Sequence, residues 1–374
     1  FKKTQPKKSR GPMRLKAITM SLVLLVFSFA KGQAAECVGD QDIIIGGESG
    51  KELAPTQVFR KNNGTEPGTL DPHRAEGVPA SNILRDLFEG LVMEDPSGAY
   101  IPGAAESWSL SEDAKIYTFK MRENGKWSNG DVVTAEDFVY GLRRSVDPAT
   151  LSNYSSMLYP IKNARDIVLG KKSSETLGVR ANGPTTLIIE LDEPTPYFLS
   201  LLTHSTTYAA HRPTIERFGA RFTRPGNLVG NGAFKLKEWR VQSHIKLVRN
   251  TEYWDNENTV LEEVNYYPLD DTNSSFRRYR AQELDFTETV LAEQLPWIRE
   301  CLPDDLKISP YFGSYYYGFN NAKPPFKNKP KLRTALSMAI DRNVITEIIL
   351  GAGQIPAYSL VPPVKTFKAV PANW

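Results

Sequence analysis

The chain has 374 residues, of which 40% are hydrophobic and 24% charged, as in ordinary globular proteins, and it is long enough for two or three domains. Its formal net charge of +3 depends on the first 34 residues, which hold eight of the 46 basic residues and no acidic one. The remainder has 38 basic and 43 acidic residues, a net charge of −5. This balance gives no electrostatic reason to expect a nucleic-acid partner.

A short basic start followed by an apolar run is the first element in chain order. The run at residues 17–30 is too short for a permanent membrane span. Residues 32–34 then offer small side chains at the spacing that a signal peptidase needs. The sequence therefore predicts flanking residues at 1–12, a signal peptide at 13–35 and export to the periplasm.

The number and spacing of the cysteines and histidines do not indicate a metal site. Cys37 and Cys301 are the only cysteines, so one disulfide between them is compatible with the count and has no other support. Cys37 follows the predicted cleavage site, but the preceding Glu36 does not fit the usual lipid-attachment sequence. The four histidines have no ligand-like spacing with the cysteines, and we expect neither a structural zinc ion nor another cofactor.

The rest of the chain alternates between short strands and helices without repeats, which predicts a mixed α/β fold. The predicted strands are residues 57–61, 116–121, 186–191 and 260–267, together with a hairpin at 234–239 and 244–249. The predicted helices are residues 81–91 after a Ser81 cap, one that begins after Thr134 with Asp137 at the capping-box position, and 333–350, which Gly351 ends.

A series of short motifs runs through the chain from about Val58 to Pro363. They are Asn62-Asn63-Gly64, Leu70-Asp71-Pro72-His73, Glu76-Gly77-Val78-Pro79, Arg85-Asp86-Leu87-Phe88-Glu89-Gly90-Leu91, Pro102-Gly103-Ala104-Ala105-Glu106-Ser107-Trp108, Tyr117-Thr118-Phe119, Lys126-Trp127-Ser128-Asn129-Gly130, Thr134-Ala135-Glu136-Asp137-Phe138-Val139, Asn231-Gly232-Ala233-Phe234, Tyr253-Trp254, Tyr315-Tyr316-Tyr317, Lys323-Pro324-Pro325-Phe326 and Arg333-Thr334-Ala335-Leu336. One such motif would be weak evidence. Their order and spacing resemble those of the periplasmic oligopeptide-binding proteins, the solute-binding family that serves peptide ABC importers.

This resemblance implies an α/β, periplasmic-binding-protein-like fold with two lobes and an extra domain. The first lobe would hold one domain from residues 36–88 and 212–312 and a second from 89–211. Residues 313–374 would form the hinge crossing and the start of a second lobe that is incomplete at Trp374. The resemblance also implies a monomeric receptor that binds oligopeptides between closing lobes and delivers them to an inner-membrane ABC permease.

The resemblance also indicates ligand-binding residues. The family loop that matches Glu76, Gly77 and Val78 lends main-chain groups to the peptide, and its acidic residue lines a side-chain pocket. Tyr154 matches an aromatic residue at the cleft, and Tyr316 falls in a strand that would cross between the lobes. Alternation leaves open whether Tyr316 or its two neighbours face the cleft. The sequence without the resemblance would be interpreted differently: Glu76 as an ordinary exposed glutamate and Tyr154 as a half-buried surface tyrosine.

Three features depart from the family pattern. Gly318 stands where related proteins have an acidic residue, which should weaken a preference for basic side chains in one pocket. Gly313 replaces a cysteine that pairs with the second lobe. The residues that anchor the peptide termini in the family would lie beyond residue 374, so the chain as given is expected to bind peptides without high affinity.

The common catalytic motifs are missing from the sequence, which therefore does not indicate an enzyme. The sequence has no G-x-S-x-G elbow, H-E-x-x-H pair or phosphate-binding G-x-x-x-x-G-K loop. The Gly-rich segment at residues 45–51 follows the predicted signal peptide, where a nucleotide site is not expected. The alternatives that stay open are a receptor for a dipeptide, a murein peptide or a metal or haem complex, and a secreted hydrolase or holdase.

Overall fold

The computed structural model describes residues 53–309 and 311–363. The predicted signal peptide, the segment at 45–51 and Cys37 lie outside them. The strands are β1 (Val58–Asn62), β2 (Val92–Glu94), β3 (Tyr100–Pro102), β4 (Ala105–Leu110), β5 (Ile116–Met121), β6 (Val179–Ala181), β7 (Thr186–Glu190), β8 (Phe234–Arg240), β9 (His244–Arg249) and β10 (Glu263–Tyr267). The α-helices are α1 (Gly77–Leu87), α2 (Ala135–Val146), α3 (Ala164–Val168), α4 (Phe198–Leu201), α5 (Arg212–Phe218), α6 (Thr272–Arg280), α7 (Leu295–Cys301) and α8 (Pro330–Met338).

Two four-stranded sheets organise the fold. The first has the strand order β1-β10-β9-β8, with β1 parallel to β10 and the other neighbours antiparallel. The second is antiparallel throughout, in the order β4-β5-β7-β6, and the short β2 and β3 pair by themselves. The chain therefore leaves the first sheet after one strand and returns to it after the second sheet is complete. The predicted mixed α/β class is confirmed.

The two sheets draw on the segments that the sequence analysis assigned to two domains of one lobe. The strands of the first sheet lie within residues 36–88 and 212–312, and those of the second lie within 89–211. Their apolar side chains nevertheless form one continuous core, to which α1 and α2 contribute. The described residues do not separate the two segments into independent units, and the domain boundaries stay a prediction.

Strand alternation and helix capping are confirmed where the sequence signals were strongest. In β5, Tyr117, Phe119 and Met121 alternate with more exposed residues and are buried in the core. At the start of α2, Asp137 Oδ2 accepts the Thr134 backbone N–H at 2.8 Å and the Thr134 hydroxyl at 2.9 Å. This capping box fixes the first turn of a helix whose inner face is fully buried.

The start of α1 differs from the prediction. The helix begins at Gly77, with Glu76 at the N-cap position, rather than after Ser81, and it ends at Leu87 rather than at Leu91. Pro79 occupies the first turn, where its missing N–H costs no intrahelical hydrogen bond. No side chain caps this end, so the capping signal at Ser81 was misleading.

The predicted helix at 333–350 is divided in the structure. Helix α8 ends at Met338, and a π-helical segment follows from Val344 to Leu350 before Gly351, whose φ is +59°. Between them Asp341 Oδ1 accepts the backbone N–H groups of Asn343 and Val344, at 3.0 and 3.2 Å. Such local bonds from a short acidic side chain compete with continued helix.

Candidate functional site

Several of the motifs meet at the carboxyl end of α1. The Gly232 N–H donates to Leu87 O at 3.0 Å, and Ala104 N–H donates to Gly90 O at 2.9 Å. The Asn231 amide pairs with the backbone of Glu89 in both directions, each bond being 3.0 Å long. Three motifs that are far apart in the sequence therefore share one backbone network.

The side chain of Glu89 lies at the centre of this network and is 3% exposed. Its carboxylate accepts Tyr253 Oη–H at 2.6 Å and Trp254 Nε1–H at 2.8 Å. The Arg122 guanidinium lies over the Trp254 ring, 3.5 Å from its centroid, and Glu89, Arg122 and Trp254 line a small pocket. Burial raises the pKa of Glu89 to about 7, against the opposing effect of both hydrogen bonds and of Arg122. Because the protein itself occupies both carboxylate oxygens, this cluster holds the fold together.

Replacing Glu89 by glutamine should flatten the pH dependence of stability. The pKa of Glu89 is raised above its ordinary value of 4.5, so the folded state binds a proton more readily than the unfolded state. The resulting stability is fully present below pH 4.5 and is lost as the pH rises through 7, by about 3 kcal/mol. Urea unfolding of wild type and Glu89→Gln between pH 4 and 8 measures the difference.

The matched control for this experiment is Glu257→Gln, at an exposed carboxylate. Its unfolding free energy should follow the wild-type profile at every pH, because solvent surrounds the side chain in both states. A Glu89→Gln profile as steep as that of wild type would contradict the assignment.

A second buried cluster explains the motif at residues 70–73. Arg144 donates to both carboxylate oxygens of Asp71, at 2.8 and 2.6 Å, and to His73 Nδ1 at 2.8 Å. Because a guanidinium only donates, His73 carries its proton on Nε2 and donates it to Tyr208 O at 3.0 Å. Burial, with Arg144, lowers the pKa of His73 to about 4. Burial would raise the pKa of Asp71, but Arg144 holds it below its usual range.

The predicted binding residues Glu76, Gly77 and Val78 form an open helix start. The prediction of a loop is wrong here, since the three residues are the N-cap and first two positions of α1. Gly77 has φ of +80°, and Val78 is 53% exposed. The N–H groups of Gly77 and Val78 form no hydrogen bond to another described residue. A helix start with free, partly positive N–H groups suits the carbonyl oxygens of a bound molecule.

Tyr154 lies in a second part of the surface. It precedes the 3₁₀ turn Ser155–Leu158 and is half-buried. Its ring meets the ring of His204 edge-on, with 5.0 Å between centroids and an interplanar angle of 67°. No hydrogen bond or ring contact within the described structure joins Tyr154 directly to Glu76, Gly77 or Val78. Sequence reasoning passed over His204, for which the only signal was a histidine beside a run of hydroxyl residues.

Tyr316 does not lie in a strand. Residues 311–320 have no regular secondary structure, and Tyr315, Tyr316 and Tyr317 are 84%, 69% and 78% exposed. The predicted crossing strand is therefore wrong for the described structure, because no described segment pairs with the hydrogen-bonding groups of this stretch. The rings of Tyr315 and Tyr317 contact each other at 5.8 Å, as residues two apart on one side would.

Residues 53–309 and 311–363 contain neither a membrane-spanning helix nor a metal-binding cluster. No helix there is both long and apolar enough to cross a membrane. The same residues contain no group of three or more histidine, cysteine, aspartate or glutamate side chains placed to hold a metal ion. Cys301, at the end of α7, is disulfide-bonded.

Comparisons with known proteins point to one family. The sequence profile described as "Bacterial extracellular solute-binding proteins, family 5 Middle" matches residues 99–372. The periplasmic oligopeptide-binding protein OppA of Salmonella typhimurium (strain LT2) is 44% identical over 318 residues, which are 84% of this chain and 58% of that protein. The probable deoxycholate-binding periplasmic protein YgiS of Escherichia coli (strain K12) is 43% identical over 320 residues, 85% of this chain and 59% of that protein.

A solved structure of an oligopeptide-binding protein is similar to this chain in both fold and sequence. Haemophilus influenzae OppA in complex with the peptide RPPGFSPFR superposes with a TM-score of 0.80 at 41% identity, covering 83% of this chain and 61% of that one. The chain therefore spans less than two thirds of the length of each of these proteins.

Proposed function

This chain belongs to the bacterial extracellular solute-binding proteins of family 5, and we propose that it is part of a periplasmic receptor for oligopeptides. The receptor holds its peptide by main-chain hydrogen bonds between two closing lobes and delivers it to an ABC permease in the inner membrane. It acts as a monomer and catalyses no reaction. The relatives named above are binding proteins, which supports this assignment.

The observation that carries the proposal is the free helix start at Glu76, Gly77 and Val78. A receptor for many peptide sequences must satisfy the buried backbone of its ligand without reading the side chains, because unpaired amide groups are costly. The N–H groups of Gly77 and Val78 are exposed and unbonded within the described residues, so they can donate to peptide carbonyl oxygens whatever the peptide sequence. Glu76 lies beside them, where it can line the pocket of one ligand side chain.

A different solute is the second candidate. YgiS, a probable deoxycholate-binding protein, is about as similar to this chain as OppA is. Similarity over these residues therefore does not by itself separate peptide from non-peptide ligands. Tyr154 and Tyr316 are proposed as aromatic contacts in either case, since an aromatic ring packs against apolar groups of many kinds.

Native mass spectrometry tests the proposal on the product of the complete reading frame that encodes this chain. We expect the purified protein to carry a mixture of bound peptides, released on denaturation and identified by their fragment masses. A single non-peptide mass would favour the second candidate. A ligand-free protein that gains no mass with added tripeptides or tetrapeptides would overturn the proposed peptide receptor.

A proline at position 78 tests the helix start specifically. Val78→Pro removes one free N–H group at a first-turn position that tolerates proline, and we expect it to weaken tripeptide binding about tenfold, the effect of one lost hydrogen bond. Val78→Ala is the matched control, because it shortens the side chain and keeps the N–H. Calorimetric titration measures both, with thermal unfolding as a check on folding. Equal peptide affinities of the two variants would show that the Val78 N–H does not donate a hydrogen bond to the peptide.

A further inference from the structure

Arg85 lies on the same face of α1 as Val78. The two residues are seven positions apart, which is close to two full turns of helix and about 10 Å along its axis. Both are exposed. Any molecule that lies along the exposed face of α1 from Val78 therefore runs towards Arg85.

The guanidinium of Arg85 has no partner within the described residues. It takes part in no hydrogen bond or ion pair there, although two carboxylates follow it closely in the sequence. Asp86 accepts the hydroxyl of Tyr266 at 2.7 Å, and Glu89 is buried between Tyr253 and Trp254. Neither acid is free to neutralise Arg85, which leaves an exposed positive charge without a counter-ion among residues 53–309 and 311–363.

His204 presents a hydrogen-bond donor close to this charge. It caps the 3₁₀ turn Ser205–Thr207, which packs against α1. Its Nδ1 accepts the backbone N–H of Thr206 at 3.2 Å, so a neutral ring carries its proton on Nε2. Burial, together with the charge of Arg85, lowers the pKa of His204. The ring is therefore neutral at pH 7, and its Nε2–H makes no hydrogen bond to a described residue.

Tyr154 completes the surroundings of His204. Its ring packs edge-on against the imidazole and fixes its orientation. The hydroxyl oxygens of Ser152 and Thr206, two residues from Tyr154 and His204 respectively, are buried and have no hydrogen-bond partner among the described residues. This part of the surface therefore combines an aromatic ring, that of Tyr154, with two donors, Arg85 and His204 Nε2–H.

We propose that Arg85 and His204 form a subsite for a carboxylate group of the ligand. A carboxylate accepts two hydrogen bonds from a guanidinium in parallel and leaves lone pairs for the imidazole N–H. This inference rests on the proposed function, since it takes Val78 and Tyr154 as neighbours of one bound peptide. The carboxylate comes from an acidic side chain or from the peptide C-terminus. If the carboxylate is that of an acidic side chain, the receptor favours acidic over neutral peptides, in line with the absence of an acidic residue at Gly318.

The test uses the product of the complete reading frame and calorimetric titration with matched tetrapeptides. The peptides are Ala-Ala-Ala-Ala, its C-terminal amide, and the series with Glu or Gln at each position in turn. At one position, or at the C-terminus, we expect the carboxylate form to bind about tenfold more tightly than its neutral counterpart. Arg85→Met should reduce this ratio to less than twofold.

Further variants separate the subsite from a general effect of charge. His204→Phe keeps a ring against Tyr154 and removes the donor, so it should reduce the ratio about threefold. Arg221→Met removes an exposed arginine elsewhere, in the 3₁₀ helix Gly219–Thr223, and should leave the ratio as in wild type. A ratio that wild type shows only between Ala-Ala-Ala-Ala and its C-terminal amide, and not within the Glu and Gln series, identifies the C-terminus as the source of the carboxylate.

The remaining outcomes overturn the inference. Equal binding of carboxylate and neutral peptides by wild type, or an unchanged ratio in Arg85→Met, removes the subsite and leaves the peptide receptor standing. Failure of every peptide to bind wild type removes the proposed function and the subsite together.

Discussion

Replacing Arg144 by methionine is expected to lower the free energy of unfolding by about 3 to 5 kcal/mol. This is the range for removing one partner of a buried ion pair. Asp71 is 4% exposed and forms no other ion pair among the described residues. Methionine preserves much of the side-chain volume, so the effect reports the stranded carboxylate rather than a cavity. His73 also loses the donor to its Nδ1, which adds to the cost.

The pH dependence distinguishes this cause from simple loss of packing. Arg144 holds the pKa of Asp71 below its usual range despite burial, and without Arg144 burial raises it. The destabilisation of Arg144→Met should therefore be largest at neutral pH and shrink as the pH falls and Asp71 is protonated. Chemical unfolding at pH 7 and pH 4 measures this change.

The control for Arg144 is the exposed pair of Arg212 and Glu216 on α5, with 2.7 Å between Arg212 Nε and Glu216 Oε1. Arg212→Met removes an arginine from a pair of similar length, yet both partners are well hydrated, so its stability should match that of wild type within error. A destabilisation that is equal at both pH values in Arg144→Met would assign the effect to packing.

Local elements of this fold were predictable because their signals are local. Strand β5, the β8–β9 hairpin and the capping box at Thr134 and Asp137 depend on side chains only a few residues apart. The start of α1 was not predictable in the same way, since the helix has no capping side chain and carries Pro79 in its first turn. The break in the last helix comes from Asp341, whose local bonds compete with a helix that periodicity favoured.

The motifs showed the family but not the role of each residue. Asp71 and Arg144 are 73 positions apart, and Glu89 and Trp254 are 165 apart, so no spacing rule indicates that they bond. In the structure these four residues hold the chain together. Arg85, in contrast, belongs to a motif and lacks a partner in the described residues. Exposed motif residues with unused hydrogen bonds are thus better candidates for ligand contact than the buried ones.

The close approach of residue 232 to the end of α1 gives the second large effect: Gly232→Ala should cost about 3 kcal/mol of stability. A Cβ at this position would lie 2.5 Å from Asp86 O, 2.6 Å from Phe88 N and 2.7 Å from Leu87 C. All three are backbone atoms, which cannot rotate away as a side chain could. Gly68→Ala is the control, because its Cβ would meet no atom within 4 Å, and its stability should be unchanged or slightly increased. Thermal and urea unfolding compare the two variants, and a Gly232→Ala protein as stable as Gly68→Ala would show that this turn can move off the helix without cost.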